Sequence, residues 1–335
     1  MRKAKSGKML QEVTIFLINF VATFLATPFV SRKLRELGFV GVDVHKKEKP
    51  TIPEMGGIAM LIGLIVSVSV AMILLREGTL LLTSFLFTVL VAGIVGLADD
   101  VFVLNARVKP VLLLFAGLPI LIMRTYMPHP ILPFVGAARL TIVYPLIIPV
   151  AISVCANAVN MMDPFNGVMA GSNIIATTAL LISALLLNRG EGIILSLILL
   201  GSLIPFFYFN RYPSKIFSGD IGSLTVGAAY GAIAILGRLE VVAVVAFIPQ
   251  IMNAFYGLST LGRLYERREV SRPISILDDG RLTANSDPSA PITLARLILA
   301  KGPLSEKDAI KVFYALSFIS SVFAIITALF TMVSI

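Results

Sequence analysis

Long uncharged apolar runs constrain this chain more than any other feature. Leu80–Ala98 and Gly192–Phe209 contain no Asp, Glu, Lys or Arg, and each approaches the ~20 residues that a helix needs to cross a hydrocarbon core. Backbone amides inside a bilayer find no water, so such runs must satisfy their hydrogen bonds internally, as helices. Of the 335 residues, 57% are hydrophobic and 14% charged, with a mean hydropathy of +0.92. A water-soluble domain of this length does not need so much apolar surface. The expected fold is all-α: one polytopic transmembrane helical bundle over residues 1–335.

About ten spans are expected: Gln11–Val30, Gly56–Leu75, Leu80–Ala98, Pro110–Arg124, Leu140–Asn157, Val168–Asn188, Gly192–Phe209, Ser223–Leu239, Val241–Thr260 and Ile310–Met332. The fourth is short. The proline-rich segment after it (TYMPHPILPFVGAARL) reads as a hairpin near the surface. The basic N-terminus precedes an apolar run too long for a signal peptide and without a convincing cleavage site, so it reads as a retained first span. A single cysteine, Cys155, excludes an intrachain disulfide framework and a cysteine-built metal cluster. Repeats of the kind that build transporters are not evident.

Five polar clusters interrupt the apolar pattern: VDVHKKEKPTIPEMGG (Val42–Gly57), GLADDVFVLNARVK (Gly96–Lys109), NAVNMMDPFNG (Asn157–Gly167), NRYPSKIFSGDIGS (Asn210–Ser223) and the basic loop Gly262–Asp308. Alternating the spans puts all five at one bilayer face. The loops on that face (residues 31–55, 99–109, 158–167, 210–222 and 261–311) hold 19 of the 28 Lys and Arg. The positive-inside rule therefore makes that face cytoplasmic and both termini external. The N-terminal tail, with Arg2, Lys3, Lys5 and Lys8, opposes this orientation. Acidic residues divide the same way, 15 against 4. They contribute little to orientation, so they point to a functional site on the cytoplasmic face. The net charge of +9 fits anionic lipids or an anionic substrate. Without a soluble basic domain, it does not fit nucleic acid.

Each cluster has a bland reading beside a functional one. Asp99 and Asp100 need a cation or hydrogen-bond donors to stay together near a membrane, or they merely end a helix. Asn157, Asn160, Asp163 and Asn166, spaced by three, would form a polar stripe on a helix. Such a stripe suits a hard cation or a nucleotide, or supplies interhelical hydrogen bonds. Asp220, flanked by glycines in SGDIGS, is a natural Mg²⁺ ligand or a helix N-cap. Arg263, Arg267, Arg268, Arg272 and Arg281 suit phosphate, or simply fix topology. His129 reads as incidental, and neither it nor His45 completes a triad.

Together the clusters resemble the polyprenyl-phosphate N-acetylhexosamine-1-phosphate transferases. That family carries GLxDDxxxL, here GLADDVFVL; NxxNxxDGxNG, here NAVNMMDPFNG; and GD before a small-residue helix, here SGDIGSLTVGA. The resemblance runs from about Val42 to Asp308. IPE followed by Gly57, DDVFVLNARVK with Asn105 and Lys109, and NRYPSKIFSGD are similar to the archaeal and eukaryotic branch. The bacterial enzymes carry a histidine cluster in the last cytoplasmic loop. Here that loop has none, and Arg267, Arg268 and Arg272 take its place. Pro164 stands where the family has glycine.

The resemblance implies transfer of N-acetylglucosamine-1-phosphate from UDP-N-acetylglucosamine to dolichyl (polyprenyl) phosphate, releasing UMP. It implies Mg²⁺, with Mn²⁺ as a substitute, held by Asp220 and Asn160. Asp99, Asp100, Lys109 and Asp163 would be catalytic, with one aspartate as a candidate base. Glu54, Asn105, Asn157, Asn166, Arg267, Arg268 and Arg272 would bind substrate. An archaeal plasma-membrane location follows, or the endoplasmic reticulum membrane in a eukaryote. The acceptor requires a groove open to lipid, expected near the third, fifth and ninth spans. Gly227 and Gly231 would permit a homodimer. The alternatives are a different N-acetylhexosamine phosphate and, in another class, a secondary transporter.

Overall fold

The computed structural model describes residues 2–262 and 270–333, with side chains from residue 7 to 262 and 270 to 332. The helices are α1 (Arg2–Glu36), α2 (Gly57–Leu75), α3 (Thr79–Phe102), α4 (Val108–Leu114), α5 (Leu118–Ile122), α6 (Val143–Met161), α7 (Val168–Leu186), α8 (Gly190–Asn210), α9 (Gly219–Leu236), α10 (Glu240–Ala246), α11 (Ile248–Leu261), α12 (Leu294–Leu299) and α13 (Glu306–Val333). Among the described residues, three antiparallel hairpins decorate the ends: β1 (Val40–Val42) with β2 (Thr51–Pro53), β3 (Ile131–Leu132) with β4 (Gly136–Ala137), and β5 (Ile274–Ile276) with β6 (Leu282–Ala284). The protein is a polytopic helical membrane protein.

Among the described residues, eight helices are long and apolar enough to cross a membrane: α1, α2, α3, α6, α7, α8, α9 and α13. The two irregular spans have physical causes. The ninth expected span is the pair α10–α11, bent by 66° at the junction. Pro249 opens α11; its ring cannot extend the preceding helix without striking the carbonyl of Val245. The fourth is Val108–Ile122, about 22 Å at 1.5 Å per residue, short of a ~30 Å hydrocarbon core. The proline-rich segment after it forms the β3–β4 hairpin, as its composition predicts.

Helix α9 is the axis of the bundle. Every residue from Ile221 to Leu236 is buried, and α3 and α6 flank it. Lipid tails are as apolar as leucine, so membrane helices associate through close packing, which small residues permit. A Cβ at Gly96 of α3 would lie 2.5 Å from Ile221 Cα, and one at Gly227 of α9 would lie 2.4 Å from the Cys155 carbonyl oxygen of α6. These contacts remove the basis for the expected homodimer face. Gly227 and Gly231 both pack against Cys155 and its neighbours in α6 of the same chain.

The Gly262–Asp308 segment, read as a basic loop, has its own small core where it is described. Ile274, Leu282, Leu294, Ala295 and Leu299 pack with Met162, Phe165 and Val168 of the α6–α7 turn and with Ala309, Ile310 and Phe313 of α13. Leu282 pairs with Leu304, and Asn253 of α11 accepts the Leu294 amide at 3.0 Å. The segment is thus a folded cap anchored beside the third polar cluster. Gly96→Ala should cost about 1–3 kcal/mol by overpacking. Gly7→Ala, which meets nothing within 4 Å, should cost little. Thermal unfolding of the detergent-purified variants checks this; equal midpoints would contradict it.

Candidate active site

The described parts of the five polar clusters lie at one end of the bundle, and Asp99, Asp100 and Asp220 meet around the first turn of α9. Asp220 lies in that turn. Its Oδ2 accepts from Lys109 Nζ at 2.6 Å, and its Oδ1 accepts from Asn160 Nδ2 at 2.7 Å. Lys109 also pairs with Asp99 Oδ2, while Asp99 Oδ1 accepts the Leu104 amide at 2.6 Å. A single ammonium therefore joins the end of α3 to the start of α9. Asn160 makes a second bond, donating to Ser223 Oγ at 2.9 Å.

Asp100 works differently from its neighbour. Its Oδ1 accepts the Asp220 amide at 2.8 Å, and its Oδ2 accepts the Ile221 amide at 3.0 Å. Helix N-termini leave amides unpaired and carry partial positive charge, so a carboxylate there is stabilised. Asp100 thus caps α9 from another helix, and the N-cap role open to Asp220 is not the one it takes. Gly219 makes this approach possible. Its φ is +67°, and a Cβ would lie 2.7 Å from Asp100 Oδ2.

The expected stripe of four polar residues is broken. Helix α6 ends at Met161, because the residue before a proline is pushed out of helical geometry and Asp163 precedes Pro164. Only Asn157 and Asn160 remain on the helix. Asn157 donates to the Ser153 carbonyl oxygen one turn back, at 2.8 Å. Asp163, in the turn, accepts from Ser218 Oγ at 2.8 Å and so ties the third cluster to the fourth.

Asn166 belongs to a second constellation. Its Nδ2 donates to Asp43 Oδ2 at 3.0 Å and to Glu306 Oε1 at 2.9 Å. Lys46 pairs with Asp43 and, at 3.4 Å, with Glu306, and lies 4.8 Å from the Tyr212 ring centroid. His45 packs edge-on against Phe165. Burial alone would raise the Asp43 carboxyl, but bonds from Asn166 and Lys46 and the Lys46 charge outweigh it and hold the group below its usual range. A depressed carboxyl stabilises the fold above its unfolded pKa, and that contribution fades as pH falls through the lowered value. Asp43 is therefore ionised at neutral pH.

Asp43, Lys46 and Glu306 were not singled out from sequence. Asp43 and Lys46 stand three apart in the first polar cluster, and that spacing is the signal the sequence offers. Glu306 looked like an ordinary acid in the first turn of the last span, where the helix dipole favours one. Glu54 lies beside the carboxylate centre, lining a cavity of about 180 Å³ with Asp100, Met55 and Gly38–Val40. Asn105 is exposed and accepts the Arg107 amide at 2.9 Å, so it shapes the turn that delivers Lys109. Arg272 is exposed, and its carbonyl accepts from Asn285. Arg267 and Arg268 lie outside the described residues.

Among the described residues, no group of three or more His, Cys, Asp or Glu could hold a metal ion unaided. Mg²⁺ does not need one. It commonly takes one or two carboxylates, retained waters and substrate phosphates. Asp220 supplies a carboxylate, and the Asn160 amide supplies an oxygen as well as its donor, so the donor chemistry fits such an ion.

The chain is similar to known proteins along most of its length. The family model described as glycosyl transferase family 4 matches residues 82–238. A Saccharolobus solfataricus protein is 30% identical over 95% of this chain and 97% of its own length. It carries the provisional name UDP-N-acetylglucosamine–dolichyl-phosphate N-acetylglucosaminephosphotransferase. A Bacillus subtilis protein, assigned as an undecaprenyl-phosphate N-acetylglucosaminyl 1-phosphate transferase, is 28% identical over 95% of this chain and 86% of its own. The phospho-N-acetylmuramoyl-pentapeptide-transferase of Halalkalibacterium halodurans is 30% identical over 71% and 79%. With the three motifs meeting at one end of its helical bundle, the chain belongs to the polyprenyl-phosphate N-acetylhexosamine-1-phosphate transferases of glycosyl transferase family 4.

Proposed function

We propose that this transferase moves N-acetylglucosamine-1-phosphate from UDP-N-acetylglucosamine to dolichyl phosphate or a kindred polyprenyl phosphate, releasing UMP. The observation that carries the reading is Lys109 held between Asp99 and Asp220, with Asn160 on the other Asp220 oxygen. This places one cation and a pair of metal-type ligands where a pyrophosphate could meet them. The names of the archaeal relatives support the donor and acceptor. The division of loop charge supports a site facing the cytoplasm, and the likeness to archaeal relatives supports a plasma membrane.

Phosphoryl transfer asks for charge neutralisation and in-line positioning more than for covalent chemistry by the protein. Asp220 and Asn160 would hold Mg²⁺, or Mn²⁺ in its place, and the bound ion would offset charge on the donor pyrophosphate. Lys109 stabilises charge that builds on the transferring phosphoryl group. Asp99 holds Lys109 in place and fixes the turn at Leu104. The Asp43–Lys46–Asn166–Glu306 constellation lies next to the site and offers amide, ammonium and carboxylate groups to a nucleotide.

No general base is needed. A phosphate monoester has a second pKa near ~6, so the attacking oxygen is already deprotonated at neutral pH. Both Asp100 oxygens are occupied by the α9 amides, and both Asp99 oxygens by Lys109 and Leu104. Asp100 is a positioning residue that holds Asp220 at the head of α9. The acceptor chain would enter from the bilayer beside α6 and the bent α10–α11 pair, where Val150, Val154 and Phe255 are exposed.

A transporter reading is disfavoured, because secondary transporters bind near the membrane midplane and these carboxylates and cations sit at helix ends.

The direct assay uses UDP-N-acetylglucosamine labelled separately in the sugar and in the β-phosphate, with dolichyl phosphate and Mg²⁺. Both labels should enter the lipid and UMP should be released, and Asp220→Ala should abolish transfer. Entry of the sugar label alone would replace this reaction with ordinary glycosyl transfer. Asp100→Asn should lower kcat by the same factor at pH 6.5 and pH 9. A loss confined to low pH would restore Asp100 as a base.

A further inference from the structure

A second cavity, of about 370 Å³, lies outside the carboxylate centre. It is bounded by the end of α1 (Arg35), the β1–β2 connection (Asp43, Lys46, Pro50, Thr51 and Ile52) and the α8–α9 loop (Pro213, Ser214 and Lys215). Three cations line it against one carboxylate. Asp43 is already bound by Lys46 and by Asn166. Among the described residues, neither Arg35 nor Lys215 has a carboxylate within ion-pair distance. The cavity therefore carries an uncompensated positive charge in a concave site.

What lies beside it identifies the kind of ligand. Lys215 and Arg211 stand over the Tyr208 ring, at 5.9 and 5.1 Å. Tyr208 packs with Phe24 of α1 at 6.0 Å, Phe24 with Phe209 at 5.3 Å, and Phe20 stacks on Phe24. This array follows the outer face of α1 and α8, with Tyr208 half exposed. Aromatic rings topped by arginine and lysine are the pattern of a membrane–water interface. A free phosphate would use the cations and leave the rings idle. A lipid would use both.

We propose that the Arg35–Lys46–Lys215 cavity binds the phosphate headgroup of an anionic glycerophospholipid, with its hydrocarbon chain against Phe24, Tyr208 and Phe209. Lys46 forms one wall of this cavity and also contacts Asp43 and Glu306, the two carboxylates that hold Asn166. A headgroup phosphate competes for the Lys46 ammonium, so the bound lipid adjusts the Asn166 constellation. That coupling to donor binding rests on the function proposed above; the lipid site does not.

The test is native mass spectrometry of the full chain from mixed micelles containing phosphatidylglycerol and phosphatidylcholine. The wild type should retain phosphatidylglycerol preferentially. Basic residues near a charged surface contribute about 1 kcal/mol each, so Arg35→Gln/Lys215→Gln should reduce that preference roughly 30-fold. Arg76→Gln/Arg124→Gln, at the opposite end of the bundle, should leave it unchanged. Equal preference in the Arg35/Lys215 variant and the wild type would overturn the site. Displacement of the lipid by millimolar inorganic phosphate would reassign it to free phosphate and overturn the lipid. In nanodiscs, adding phosphatidylglycerol should shift the donor KM of the wild type and leave that of the variant unmoved. If the lipid binds selectively but KM does not respond, the coupling fails while the site stands. An enzyme inactive with every donor would instead count against the proposed function.

Discussion

The ion triad Asp99–Lys109–Asp220 is the interaction on which the rest of the site depends. Three carboxylates, Asp99, Asp100 and Asp220, converge where α3 meets the head of α9. Like charges at such distances repel strongly in a partly desolvated setting. Lys109 neutralises two of them, and the amides of Asp220 and Ile221 absorb the third. Removing one member of a buried ion pair leaves its partner uncompensated. The segment from Leu104 to Lys109 is therefore held both by these ionic contacts and by Leu104, which packs on the main core, and it delivers an ammonium to the centre.

The triad is anchored to a rigid frame. Helix α9 is buried along almost its whole length, and glycines let α3 and α6 approach it to backbone contact. Asp220 stands at the head of that helix, so its position is set by the packing of the bundle. Further from the site, Asn19 donates to the Ile198 carbonyl oxygen and accepts from Thr23 and Ser202, joining α1 to α8. Such polar contacts replace, inside a bilayer, part of the hydrophobic drive that a soluble core would have. The folded cap from Ile274 to Leu299 closes over the α6–α7 turn and helps bury Phe165 beside Asn166.

Much of this was legible in the sequence, for identifiable reasons. Uncharged runs such as Leu80–Ala98 have one stable form in a bilayer, so the helices could be read directly. Alternating the spans gathered the five clusters onto one face, and the loop charges oriented that face. Asp99 and Asp220 stand out as carboxylates near a membrane, where such groups have few uses, and the family resemblance adds Lys109 and Asn160; the fold brings these four together. What escaped depends on three-dimensional neighbours. No spacing rule pairs Asn166 with Glu306, which is 140 residues away, or assigns Asp100 to amides of another helix. The stripe of asparagines failed because Pro164 ends the helix that a simple period of three extends. Gly227 and Gly231 were equally ready to pack within a chain or between chains, and burial of α9 decided it.

The most direct test of the central claim is single-turnover transfer by Lys109→Gln, measured beside its donor affinity and its unfolding midpoint. If the ammonium serves the transferring phosphoryl group, the rate should fall by about 10²–10³ with donor affinity changed only a few-fold in a folded protein. Turnover near that of the wild type would show that Lys109 only balances its carboxylate neighbours, and the account of the site would fail.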